Sequence, residues 1–156
     1  MKKSIIKLLT ILTIVSGCIQ LPKNKLNMTE IKMDNSKKRI LARGCDPDLS
    51  LRFSKVVPPM IGNAEYIPTT DDVDFIEKLK SEKWSVIYFA PGACRYNAAK
   101  KQIPGGSVDT EGWSLEDYKK LIYDIQGSEI QIVESIYEEG VIELLNSALE
   151  NAKEVK

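Results

Sequence analysis

The residue in this 156-residue chain best placed to do chemistry is Cys94, in Pro91-Gly92-Ala93-Cys94-Arg95-Tyr96-Asn97. The segment follows an apolar run that reads as a strand, so Cys94 is predicted at or near a helix start. A helix N-terminus, the adjacent Arg95, and Lys100 and Lys101 within a turn or two each favour a thiolate. Cys94 and Arg95 are therefore the candidate catalytic pair, with Arg95 stabilising the thiolate. No histidine is present anywhere. That excludes Ser-His-Asp and Cys-His catalysis and any histidine metal site.

Other constellations have plainer readings. Gly105-Gly106-Ser107 could form a backbone nest for an anion, but it lacks the spacing and the lysine of a phosphate loop and reads as a turn. Asp71, Asp72 and Asp74 fit no calcium loop, and acids suit the first turn of a helix. Glu138 and Glu139 read the same way before the last helix. Trp84 and Trp113 are expected to pack in the core or a loop, with Trp113 beside Gly112 able to stack on a ligand if exposed. No cofactor and no metal site is expected.

The N-terminus carries a different message. Lys2, Lys3 and Lys7 form a positive region, Ile5 to Val15 is mostly apolar, and Val15-Ser16-Gly17-Cys18 closes the stretch. The apolar run is shorter than the ~20 residues a membrane-spanning helix needs and suits a cleaved export signal. It resembles the signal peptide and lipobox of bacterial lipoproteins. The resemblance implies cleavage after Gly17 and fatty acylation (palmitate or a similar chain) of Cys18. Two or more chains anchor stably, at about 0.8 kcal/mol per buried CH₂. It also implies a place in the cell envelope. Ile19, not Asp, follows the lipid-bearing cysteine, which favours the outer membrane where a bacterium has one.

With Cys18 acylated, Cys45 and Cys94 remain, and export makes an oxidising compartment plausible. A Cys45–Cys94 disulfide would close a loop of about 50 residues and stabilise by about 4 kcal/mol in the chain-entropy model. Three fates stay open: that disulfide, a free reactive Cys94, or two inert thiols.

Charge divides the rest of the chain. After residue 17 there are 19 basic and 22 acidic side chains, a net of −3. Residues 19–43 hold Lys23, Lys25, Lys32, Lys37, Lys38, Arg39 and Arg43 against Glu30 and Asp34, a net of +5. This polar segment, 18–43 with the lipidated Cys18, reads as a flexible basic tether, able to sit near anionic headgroups or simply in solvent. Residues 44–156 carry a net of −8, which argues against nucleic-acid binding. They are enough for one domain.

The elements that must position Cys94 follow from period and punctuation. Leu49 to Val56 alternates apolar and polar residues, as a half-buried strand does, and could add a sheet edge. Thr69-Thr70-Asp71-Asp72 starts a helix over 71–81, with Val73, Ile76 and Leu79 on one face. Residues 84–90 form an apolar strand buried on both faces. A short helix near 95–102 and a loop at 103–107 follow. Ser114-Leu115-Glu116-Asp117 resembles a capping box, and Gly127 ends that helix. Ile130 to Ile136 reads as a second inner strand, and Val141 to Leu149 as a last helix. The order implies a βαβ unit with a parallel pair in a small sheet: an α/β fold, one domain over 44–156, with helices packed on the sheet.

Trp84 to Arg95 also resembles the active-site strand of thioredoxin-fold proteins, through Phe89-Ala90-Pro91 and Cys94-Arg95. One cysteine stands where that family has two. The resemblance implies a redox or thiol-binding role. A lone cysteine in a strand-to-helix loop is similar to rhodanese-like proteins too, although Arg95-Tyr96-Asn97-Ala98-Ala99 departs from their loop. The expected function is a non-catalytic envelope module that binds a small ligand or another envelope protein. The alternatives are a thiol-dependent enzyme or redox accessory using Cys94, and an assembly component.

Overall fold

The computed structural model describes residues 33–156. The export signal 1–17, Cys18 and residues 19–32 of the expected tether lie outside the described residues.

Four parallel strands form one sheet in the order β2-β1-β3-β4. They are β1 (Arg39–Arg43), β2 (Glu65–Thr69), β3 (Val86–Phe89) and β4 (Gln131–Glu134). Five helices pack on them: α1 (Pro47–Val56), α2 (Asp72–Ser81), α3 (Pro91–Ala98), α4 (Leu115–Gln126) and α5 (Val141–Asn151). The fold is α/β, and β3 pairs with β4 in parallel through the crossover that the sequence predicts.

Period-two alternation in β1 and β3 divides the core between two faces. Ile40, Ala42, Val86 and Tyr88 meet Phe53 of α1, the following Val57, and Val141, Leu145 and Leu149 of α5. Leu41, Ile87 and Phe89 meet Phe75 and Leu79 of α2, Ala93 and Cys94 of α3, and Leu115, Tyr118 and Ile122 of α4. Helices thus cover both faces, which is why β3 is buried at all four positions. On the second face Phe75, Phe89 and Tyr118 meet tilted or edge-on, at 5.8–6.4 Å between ring centroids.

Several boundaries differ from the sequence reading. The domain starts before residue 44, because β1 lies inside the segment read as tether and is a central strand. Its basic residues are internal partners, not free charge. Arg39 lies over the Trp84 ring at 4.4 Å and pairs with Glu65 at 3.0 Å and with Glu82. Arg43 pairs with Asp72 inside the protein.

Leu49 to Val56 is helix α1, not a strand. Pro47 occupies its first turn, and the Asp46 carboxylate accepts from the Leu49 amide at 2.9 Å. Phe53 and Val57, one turn apart, do the packing. Leu49, Leu51 and Val56 are exposed, so the alternation did not mark a buried face.

The edge of the sheet is instead β2, whose Pro68 an edge strand tolerates. Strand β4, expected inside the sheet, is the other edge, four residues long and only partly covered. Helix α3 begins at Pro91, four residues earlier than expected. Proline there gives up an amide that has no helical partner anyway. Helices α2 and α4 stand close to their expected limits. Asp71 caps α2, Ser114 and Asp117 form a capping box on α4, and Gly127 caps α4 with φ 91°.

Candidate functional site

In open α/β sheets ligands bind beyond the carboxyl ends of the strands, where the chain leaves neighbouring strands in opposite directions. Here that point lies between β1 and β3. From β1 the chain turns through Gly44-Cys45-Asp46 into α1 on one face. From β3 it turns through Ala90 into α3 on the other. A cleft of about 340 Å³ opens there, at the small end of the range for ligand pockets.

Its wall is apolar and aromatic: Leu49 and Phe53 from α1, Tyr66 from β2, Tyr88 from β3 and Tyr96 from α3. Its mouth is polar, with Cys45, Asp46, Ser50, Gly92, Arg95 and Glu138. Backbone proximity demands two small residues. A side chain on Gly44 would begin 2.6 Å from the Ser50 Oγ, and one on Gly92 would overlap the Cys45 Sγ. Arg95 reaches across the mouth, donating to the Ile136 carbonyl at 3.2 Å, with Glu138 at 3.7 Å.

Two features of this cleft bear on what it can hold. Tyr88 has no exposed surface, and its hydroxyl is the one buried side-chain polar atom without a hydrogen bond among the described residues. Burial, with a smaller contribution from Cys94 and Glu138, raises its ionisation well above the usual phenol range, so it stays protonated. The second is the start of α3. It has no side-chain cap and no acid in its first turn, and the first amides of a helix have no acceptor within it. Helix α1 differs, since the Asp46 carboxylate answers its first turn.

No family model matches this chain, and no curated protein or solved structure does either. What the cleft can do therefore rests on its own geometry.

That geometry separates the two cysteines. Cys45, half-buried, sits in the cleft against Gly92. Cys94 points into the opposite face, 3% exposed, and donates to the Phe89 carbonyl at 3.3 Å. Both are free thiols, so the pairing expected of Cys45 and Cys94 is not formed in the structure. Burial also works against the thiolate expected of Cys94. It pushes the thiol pKa up to about 11, with Glu134 adding to the rise, and the Ser135 amide, Lys119 and Arg95 offset only part. Arg95 turns toward the cleft and Ile136, not toward a catalytic thiolate.

The remaining candidates are structural. Gly105, with φ 79°, backs against Thr70, and its carbonyl accepts from the Asp72 amide at 2.8 Å, so the glycine turn is closed from one side. Asp71 is a cap, Asp74 pairs with Lys78, and Asp72 is buried, so the three acids do not converge. Trp113 packs edge-on against Tyr118 at 5.1 Å. Trp84 is buried and donates to the Lys78 carbonyl at 3.0 Å. Glu138 and Glu139 precede α5, whose cap is Gly140.

One cluster is invisible in the sequence. Arg43 and Asp72, both fully buried, pair at 2.9 Å. Tyr118 donates to the same carboxylate at 2.7 Å, and Thr110 donates to it as well. Arg43 also donates to the Gly44 carbonyl and, at 2.8 Å, to that of Pro104. It thereby fixes the turn that forms one lip of the cleft. No spacing links residues 43, 72, 110 and 118.

Proposed function

We propose that this chain is a lipid-anchored envelope protein whose α/β domain binds a small ligand without transforming it. The observation that carries the binding is the cleft at the β1/β3 crossover, with the unpartnered Tyr88 hydroxyl in its lining. A buried polar group without a partner costs about 1–3 kcal/mol, and a bound molecule that accepts from it removes that cost. The anchoring rests on residues 1–18 and their resemblance to a lipoprotein signal. A thiol enzyme built on Cys94 has less support, because the thiol is buried, hydrogen-bonded to a backbone carbonyl and held protonated.

The test uses the full chain, extracted in mild detergent from the membranes of an expressing bacterium and measured by native mass spectrometry. A small molecule should travel with the protein and leave on denaturation. It should be absent from a Ser50→Trp variant whose circular dichroism is unchanged. No added mass, together with no thermal shift across a broad metabolite library, would reject the binding reading. Cys18→Ala should move the protein out of the membrane fraction, and full retention there would reject the anchor.

A further inference from the structure

The chemical class of the ligand follows from which groups in the cleft lack partners. The inference rests on the binding reading above and adds to it. Two of these groups can donate where the wall is most enclosed: the buried Tyr88 hydroxyl, held protonated by burial, and the uncapped first turn of α3 at Gly92 and Ala93. The macrodipole of α3 adds partial positive charge at the same place. What is missing is an acceptor that bears negative charge.

The amount of charge is limited by the mouth. Arg95 is the one cation in the lining, and it faces Glu138; Asp46 supplies a second acid. A dianion such as a phosphate monoester would meet two carboxylates with a single guanidinium to offset them. A singly charged group needs no more than the helix end, the phenol and Arg95 supply. The rest of the ligand must be apolar, because Leu49, Phe53, Tyr66 and Tyr96 form the wall, and flat rings pack well against such a surface. The volume of about 340 Å³ limits the body to a ring or a short branched chain.

We infer that the cleft binds small apolar monocarboxylates, aromatic ones best, with the carboxylate between the Tyr88 hydroxyl and the first turn of α3. The Cys45 Sγ packs against Gly92, and Ser50 and Cys45 border the site.

Three probes of matched shape test this: 3-phenylpropionate, its amide, and 2-phenylethyl phosphate. Each is titrated calorimetrically into the full chain in lipid nanodiscs, with empty nanodiscs as reference. The carboxylate should bind at least tenfold more tightly than either of the others. Tyr88→Phe keeps the ring and removes the donor, and should weaken carboxylate binding roughly 10- to 100-fold, as loss of a hydrogen bond to a charged group does. It should weaken amide binding by a smaller factor, because the amide carbonyl accepts from the same hydroxyl but bears no charge. Arg95→Gln should weaken the carboxylate alone by a smaller factor that shrinks with added salt.

Amide binding equal to carboxylate binding, or a Tyr88→Phe variant with unchanged carboxylate affinity, would overturn the assignment. Tighter phosphate binding at the same cleft would also overturn it, while leaving the binding module intact. If no probe binds up to millimolar concentration the carboxylate class is rejected, and the co-purification experiment decides the binding reading separately.

Discussion

Arg43 and Asp72 form an ion pair at 2.9 Å in which neither side chain touches solvent. Arg43 ends a central strand, and Asp72 opens the helix that crosses over it. The carboxylate also accepts from Tyr118 and Thr110, and the guanidinium donates to two backbone carbonyls. A buried pair so fully hydrogen-bonded escapes most of the desolvation cost that makes such pairs weak.

Removing one partner leaves the other charged in the core. Asp72→Ala and Arg43→Ala should each destabilise by about 3–5 kcal/mol in urea unfolding. The double variant should cost much less than the sum, because neither charge is then stranded. Additive losses would mean that the pair is not coupled.

Cys94 makes stability depend on alkaline pH. Its thiol ionises near 9 when unfolded and near 11 when folded. Folding therefore holds the proton, and the contribution is complete below pH 9 and lost as pH rises toward 11. Two pKa units correspond to about 3 kcal/mol. Denaturation midpoints should fall across that window, and Cys94→Ala should fall less steeply there despite its lower stability at pH 7. An equal slope in both proteins would assign the loss to the buried tyrosines, whose ionisation is also raised.

The two thiols should react at different rates. Cys45 borders the open cleft, whereas Cys94 is 3% exposed and pushed up to about 11. Timed alkylation with intact-mass readout, under reductant, should label Cys45 first and Cys94 only on unfolding. Preparation without reductant should leave both thiols countable. A protein that alkylates only after reduction would carry a Cys45–Cys94 bond, absent from the structure.

Tyr88 should behave unlike an ordinary core tyrosine. Tyr88→Phe removes a buried hydroxyl that has no partner, so the ligand-free protein should be unchanged or stabilised by about 1–2 kcal/mol. A loss above about 1 kcal/mol in thermal or urea unfolding would show that the hydroxyl supports the fold and does not await a ligand.

Much of the fold was legible because the decisive signals were local. The apolar run at 84–90, the acids at 71–72 and the Ser114–Asp117 box each define an element without reference to the rest of the chain. Strand β1 was hidden because Arg39-Ile40-Leu41-Ala42-Arg43 presents only three apolar residues between charges whose acidic partners, Glu65 and Asp72, lie 26 and 29 positions away. Helix α1 was misread because exposed Leu49 and Leu51 imitate a strand period. Asp46-Pro47, a cap and a first-turn proline, was the better guide. The site was half legible. The loop after β3, singled out by position, lines the cleft, but the cysteine there is Cys45, from the turn that follows the concealed strand β1.

The two outer strands offer little to a neighbouring copy of this domain. One is interrupted by Pro68, and its first residue, Glu65, is occupied by Arg39 and Lys156. The other is four residues long and bounded by Gln131 and Glu134, the latter paired with Lys119. Proline, brevity and charge are the devices by which natural sheets resist recruitment of further strands. At high concentration, molecules with such borders have little backbone to offer each other, and self-templated fibre growth from the folded state is discouraged.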